Sequence, residues 1–163
     1  MKNQRTGAQV LFLCRAAIIA ALYVVVTLLT IGVSSGVIQI RLSEALCILA
    51  VFTPAAIPGL FVGCVAANLI MGCALWDVVF GALATLVGAL GTYCLRKYPF
   101  VSPAPYVAAN TVVIPLVLSF VYQSEGTLGF FFVTIGASEL ISAWGLGIVL
   151  YLSLRKYKDR LFK

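Results

Sequence analysis

The run from Val10 to Val33 decides the environment of this chain. It is apolar over the length a membrane-spanning helix needs, about 20 residues. A basic start ahead of an apolar run also marks secretory signals. This run is too long for the apolar core of a signal, so a retained first helix is expected.

Five more apolar stretches follow. Span 2 starts near Leu42 and ends at Thr53 and Pro54. Being only about a dozen residues, it is expected to be tilted or shielded by its neighbours. The Pro54 to Pro58 segment predicts a tight turn, because proline disfavours helix at the residue before it. Span 3 covers about Gly59 to Gly72, span 4 Trp76 to Leu95, span 5 about Tyr106 to Tyr122, and span 6 Leu128 to Leu154. Span 6 exceeds the length needed, so its first turns are expected to be a loop or an interfacial segment, with the helix proper starting near Ile135.

Hydrophobic residues make up 63% of the 163 residues and charged residues 10%, with mean hydropathy +1.11. A soluble domain carries roughly 25% charged residues to solvate its surface. Six helices with short loops nearly exhaust the chain, which leaves no room for a soluble catalytic domain. The expected fold is all-α: one transmembrane domain over residues 1–163, a bundle of six transmembrane helices.

The net charge of +6 does not point to nucleic acid, because the basic residues sit beside the ends of spans. Lys2, Arg5 and Arg15 lie at the start, Arg96 and Lys97 in one loop, and Arg155, Lys156, Lys158, Arg160 and Lys163 at the end. Such residues mark the cytoplasmic side. With both termini inside (N-in/C-in), only Arg41 of the eleven falls outside. The expected location is a membrane crossed several times, with both ends on its cytoplasmic side. Cys14, Cys47, Cys64, Cys73 and Cys94 form no CxxC pair and read as small buried residues. There is no histidine, and neither a metal nor a cofactor is expected.

Polar groups inside the spans need explaining, since a charge at the bilayer centre costs at least ~2.5–3.5 kcal/mol. The candidates are Arg41, Glu44, Asn68, Asp77, Asn110, Gln123, Glu125 and Glu139. All but Asn110 are placed toward the outer face. Arg41 and Glu44 are spaced i, i+3 and share a helical face, which suits an ion pair as well as a ligand site. Asp77 sits where a helix dipole favours an acid. Glu139 has no basic residue at helical spacing, which favours a binding role. Trp76 offers a stacking platform; Trp144 lies deeper and suits packing. Glu125 reads as a solvated loop charge. Carboxylates, amides and an indole together suit a planar ligand with several donors, such as a guanine-like base, and favour a cationic amine on it. Ala16, Ala17, Ala20 and Ala21 form a smooth strip on which another helix could pack.

The runs Ile38-Gln39-Ile40-Arg41-Leu42-Ser43-Glu44-Ala45-Leu46 and Thr53-Pro54-Ala55-Ala56-Ile57-Pro58-Gly59-Leu60 resemble the QueT family. So do Asn68, Trp76-Asp77-Val78-Val79-Phe80-Gly81, Ala20-Ala21-Leu22-Tyr23 and the Gly136-x-x-Glu139-Leu140 motif. The resemblance implies an S component of an energy-coupling factor (ECF) importer, binding a queuosine precursor from outside. It implies that the Ala strip packs on a transmembrane T component and that two cytoplasmic ATPases supply the energy. The absence of a P-loop motif from the sequence agrees with hydrolysis by a partner. From the residues themselves the expected substrate-binding set is Arg41, Glu44, Asn68, Trp76, Asp77, Asn110 and Glu139, with no catalytic residue. The alternatives are an S component or small carrier for another vitamin or nucleobase, an intramembrane enzyme and a scaffold protein. The enzyme is disfavoured because Glu44, Asp77 and Glu139 lie on three separate spans.

Overall fold

The computed structural model describes residues 2–30, 41–123 and 126–161, without the side chains of residues 2–5 and 159. Residues 31–40, which hold the end of the first span, most of the connection to span 2 and the Ile38 to Ile40 part of the family-like run, and Glu125 lie outside the described residues. Among the described residues the chain is all-α, without strands. Helix α1 spans Lys2–Leu29. A 3-10 helix spans Leu42–Val51. Helices α2, α3 and α4 span Ala56–Ile70, Leu75–Cys94 and Ala104–Phe120. The sixth helix is composite: α5 (Leu128–Glu139), a π-helical segment (Leu140–Leu146) and α6 (Gly147–Leu154). A 3-10 turn (Arg155–Tyr157) and the short α7 (Lys158–Leu161) follow.

The stretches Thr6–Leu29, Leu75–Cys94 and Leu128–Tyr157 are long and apolar enough to cross a membrane. Three apolar helices are shorter: Leu42–Val51, Ala56–Ile70 and Ala104–Phe120. Large apolar side chains such as Leu13, Ile18, Leu29, Val87, Phe120 and Val133 are exposed around the bundle. In water such a surface would drive association; against lipid tails it is matched.

Two boundaries differ from expectation. Helix α2 starts at Ala56, so Pro58 sits in its first turn, where a missing N–H leaves no helical bond unmade. The sixth helix starts at Leu128 and not near Ile135. Thr127 caps it, its side chain accepting from the Phe130 N–H.

The short second span is 3-10 and not α. Ten residues at about 2.0 Å rise reach about 20 Å, against about 15 Å in an α-helix. Its neighbours wrap it: α1, α3, the π segment and α6 all pack against it. Ser43, Glu44, Ala45 and Cys47 to Ala50 are buried there, so the only 3-10 helix of spanning character among the described residues is an inner element of the bundle.

The bundle closes around it through helix pairs α1 on α2, α2 on α3, α3 on α4 and α4 on α5. The α3–α4 pair depends on Gly88. A Cβ there would lie 2.7 Å from Cα of Tyr106. Backbone cannot yield as a flexible side chain can, so Gly88→Ala must push α4 away. Overpacking of this kind typically costs about 1–3 kcal/mol. The expected outcome is a lower unfolding midpoint in detergent; an unchanged midpoint would show that the helices separate freely.

The Ala strip of α1 divides in the structure. Ala16 and Ala20 face α2, where a Cβ on Gly59 would lie 2.8 Å from the Ala16 oxygen and one on Gly63 3.0 Å from the Ala20 oxygen. That contact is internal. Ala17 and Ala21 are exposed on a different side of α1. The four alanines therefore do not form one outward face.

Candidate functional site

Glu44 stands at the start of the buried 3-10 helix and is 4% exposed. Both carboxylate oxygens are held by tyrosines. The Tyr23 hydroxyl of α1 donates to Oε1 at 2.8 Å, and the Tyr106 hydroxyl of α4 donates to Oε2 at 2.5 Å. Tyr106 also lies 3.4 Å from Thr85 Oγ1 of α3. One turn along α1, the Thr27 hydroxyl donates to Ser43 Oγ at 2.8 Å. One carboxylate thus ties together α1, α4 and the 3-10 helix. Charge-assisted bonds of this kind are about twice as strong as neutral ones.

The free side of Glu44 looks into a cavity of about 20 Å³, room for roughly one water molecule. Its polar wall is Arg41, Glu44, Thr85, Asn110 and Glu139; Cys64, Gly81, Ile114 and Ile135 complete it. Arg41, the extended residue that caps the 3-10 helix, accepts the Glu44 N–H on its carbonyl at 3.1 Å, and both side chains line the cavity. The Arg41 Nη1 donates to Asn68 Oδ1 at 3.3 Å, and the Asn68 Nδ2 points to Cys64 Sγ at 3.7 Å. One guanidinium therefore shares the cavity with two carboxylates.

The opposite wall is unsatisfied. Among the described residues, Asn110 Nδ2 and Glu139 Oε2 are buried without a hydrogen-bond partner, as are Thr111 Oγ1 and Ser138 Oγ. All four belong to two adjacent pairs on the packed helices α4 and α5. Leaving a buried polar group unpaired costs about 1–3 kcal/mol, more when it is charged. Native proteins carry few such groups, and the two that line the cavity, on Asn110 and Glu139, mark a place where the fold is not optimised for itself alone. The helix changes from α to π immediately after Glu139. Such π segments recur at functional sites.

The cavity is deeper than the sequence suggests. Thr85 lies ten residues from the Leu75 end of α3, and Asn110 ten residues from the Phe120 end of α4. Both put it about 15 Å from those ends. Asn110, expected apart from the others, lines the same cavity as Arg41, Glu44 and Glu139.

Asp77 is 8% exposed and sits in the first turn of α3, at the edge of this cluster. Its Oδ2 accepts from the Tyr122 hydroxyl at 3.0 Å, and the Tyr122 oxygen accepts from the Ala74 N–H at 3.0 Å. Loss of solvent first, and then the Asp77 carboxylate, push the Tyr122 phenol up to about 12 against the opposing Ala74 bond. Tyr122 therefore remains a donor to Asp77 across the physiological range.

Trp76 is elsewhere. It is 60% exposed and stacks on Phe80, ring centroids 5.9 Å apart. Phe80 lines the outer grooves beside α4 and not the polar cavity. The stacking role expected of Trp76 therefore has no cavity contact behind it. Residue-by-residue reading missed Tyr23, Tyr106, Thr85 and Gly81. Their only signal was Tyr23 and Gly81 falling inside the family-like runs.

Apolar helices facing outward around a buried polar cavity define the class: an integral membrane protein with a small polar cavity in an apolar core. Residues 13–156 match the family described as QueT transporter, and the chain belongs to that family. QueT proteins are S components of ECF transporters, so this is a membrane transport protein. Neither the curated proteins nor the solved structures contain a match to it.

Proposed function

We propose that this chain is the substrate-binding subunit of an ECF-type importer and captures a 7-deazaguanine queuosine precursor, such as 7-aminomethyl-7-deazaguanine. The observation that carries the reading is the unpaired couple Asn110 Nδ2 and Glu139 Oε2, a donor beside an acceptor, buried in the cavity that Arg41 and Glu44 share. A guanine-type edge presents the complement: a carbonyl to accept from Asn110, and a ring N–H with an exocyclic amine to donate to Glu139. Two carboxylates facing one guanidinium favour a cationic substituent on the ligand.

Arg41, Glu44, Asn68, Asp77, Asn110 and Glu139 are the proposed ligand-binding set. A cavity of about 20 Å³ cannot hold a base, so binding requires its walls to part. The 3-10 helix and the π segment, irregular elements packed on one another, are the walls proposed to move. Both termini are proposed to lie in the cytoplasm of a bacterial cell, on the basic side of the membrane. The ligand then reaches the cavity from the Leu75 and Phe120 ends, outside. The outward pair Ala17 and Ala21 is the part of the alanine strip proposed to meet a T component, with two ATPases driving the cycle.

The test is ligand-induced thermal stabilisation of the detergent-purified protein. The panel contains 7-aminomethyl-7-deazaguanine, 7-deazaguanine, thiamine, riboflavin and biotin. The deazaguanines are expected to raise the unfolding midpoint and the vitamins to leave it unchanged. Stabilisation by a vitamin alone would transfer the site to that ligand; none by any compound would overturn a small-solute site. Trp76→Ala is expected to shift the dissociation constant by no more than about twofold, as a group outside the cavity makes no ligand contact. A tenfold loss would return Trp76 to the site.

A further inference from the structure

The helical glycines of this bundle differ in their surroundings: Gly7, Gly129, Gly145 and Gly147 meet no tight approach, and others sit hard against a neighbouring helix. At Gly59, Gly63 and Gly88 a Cβ would lie within 3.0 Å of neighbouring backbone. Those glycines let helices touch. Gly81 is different. A Cβ there would meet Asn68 Nδ2 at 3.4 Å, Asp77 Oδ1 at 3.6 Å and Ile114 Cδ1 at 3.8 Å, all ordinary contacts. No helix approach requires glycine at this position. Gly81 is buried and lines the polar cavity.

The missing side chain leaves a methyl-sized space there, with acids on two sides of it. On one side is the cavity with Glu44, Asn110 and Glu139. On the other is Asp77, one helical turn before Gly81 on the same face of α3. Asp77 does not line the cavity, yet its Oδ1 is 3.6 Å from where a Gly81 methyl would stand. Asp77 is 8% exposed, and its other oxygen is bound by Tyr122.

We infer that Gly81 is a specificity-determining position: its bare backbone lets a short cationic arm of the ligand pass from the cavity to Asp77. The inference rests on the proposed function and adds a second subsite to it, selective for an amine-bearing substituent. The heterocycle engages Asn110 and Glu139, and the arm ends on the Asp77 carboxylate. A methyl at residue 81 blocks the arm and leaves the ring's own contacts intact.

The experiment measures two ligands against four proteins by calorimetric titration in detergent. The ligands are 7-aminomethyl-7-deazaguanine and 7-deazaguanine, which lacks the arm. The proteins are the unaltered chain, Gly81→Ala, Asp77→Asn and the double variant. Gly81→Ala is expected to weaken the amine-bearing ligand about tenfold or more, the effect of losing one charge-assisted contact. Binding of the armless base is expected to change by less than about threefold, as its contacts remain. Asp77→Asn is expected to show the same selectivity, and the double variant no further loss, because both changes remove one contact. Unfolding midpoints of the free proteins, unchanged in Gly81→Ala, separate this effect from misfolding. Equal weakening of both ligands by Gly81→Ala, or of neither, would overturn the inference and leave the proposed function standing. Failure of the unaltered chain to bind either ligand would overturn both.

Discussion

Glu44→Ala is expected to lower stability by about 3–5 kcal/mol, the largest single effect in this molecule. The change strands two buried hydroxyls, Tyr23 at 1% exposure and Tyr106 at 0%. Each now bonds a carboxylate oxygen, and hydrogen bonds to charged groups contribute about 1.5–3 kcal/mol each. Neither lipid nor bulk water reaches them to substitute. Tyr23→Phe and Tyr106→Phe remove one bond each and are expected to cost about 1–3 kcal/mol. Unfolding midpoints in detergent should fall in the order Ala variant first, Phe variants after it. If Glu44→Ala unfolded at the unaltered temperature, the carboxylate would not be the tie between α1, α4 and the 3-10 helix.

Glu139→Gln is expected to act in the opposite sense on two measurements. Ligand affinity should fall by about 1–3 kcal/mol, roughly tenfold to a hundredfold, as an acceptor facing the ligand's donors is replaced by an amide. Stability of the free protein should not fall. Glu139 Oε2 has no hydrogen bond among the described residues, so the change removes a buried acid without breaking a bond made by that oxygen. A site that trades stability for binding shows this divergence, because residues placed for a ligand are not optimised for the fold. Calorimetric titration and thermal melts on the same preparations read both quantities. A parallel loss of stability and affinity would make Glu139 a structural residue; unchanged affinity would remove it from the site.

The two carboxylates therefore divide the work. Glu44 has both oxygens engaged by tyrosines, while Glu139 keeps one free. The sequence separates them only by Arg41, three residues before Glu44 and without a counterpart near Glu139; it does not show the tyrosines. Their difference arises from partners 21 and 62 positions from Glu44 in the chain.

Adjacent residues on a helix were where reading along the chain misled. Trp76 and Asp77 are neighbours in sequence, but successive helical residues point about 100° apart at 3.6 residues per turn. Asp77 turns inward, so Trp76 turns out to Phe80. The same rotation splits the alanines: Ala16 and Ala20 meet α2 and Ala17 and Ala21 do not. A polar or small residue in a span announces that it needs an explanation. It does not announce which way it faces when every side of the helix is apolar and no amphipathic stripe sets the direction.

What the chain's own order of residues determined was the environment, the helical class and the number of helices. These follow from length and hydrophobicity, because a bilayer admits only segments that satisfy their own backbone bonds. The acids and amides that demand explanation were equally plain, since their burial cost is a property of each side chain. Only the tertiary structure decided that Arg41, Glu44, Asn110 and Glu139 share one cavity, that tyrosines hold one acid and leave the other free, and that span 2 is a 3-10 helix inside the bundle. Those outcomes depend on helices meeting across long stretches of chain, at contacts set by glycines and packing that no local pattern encodes.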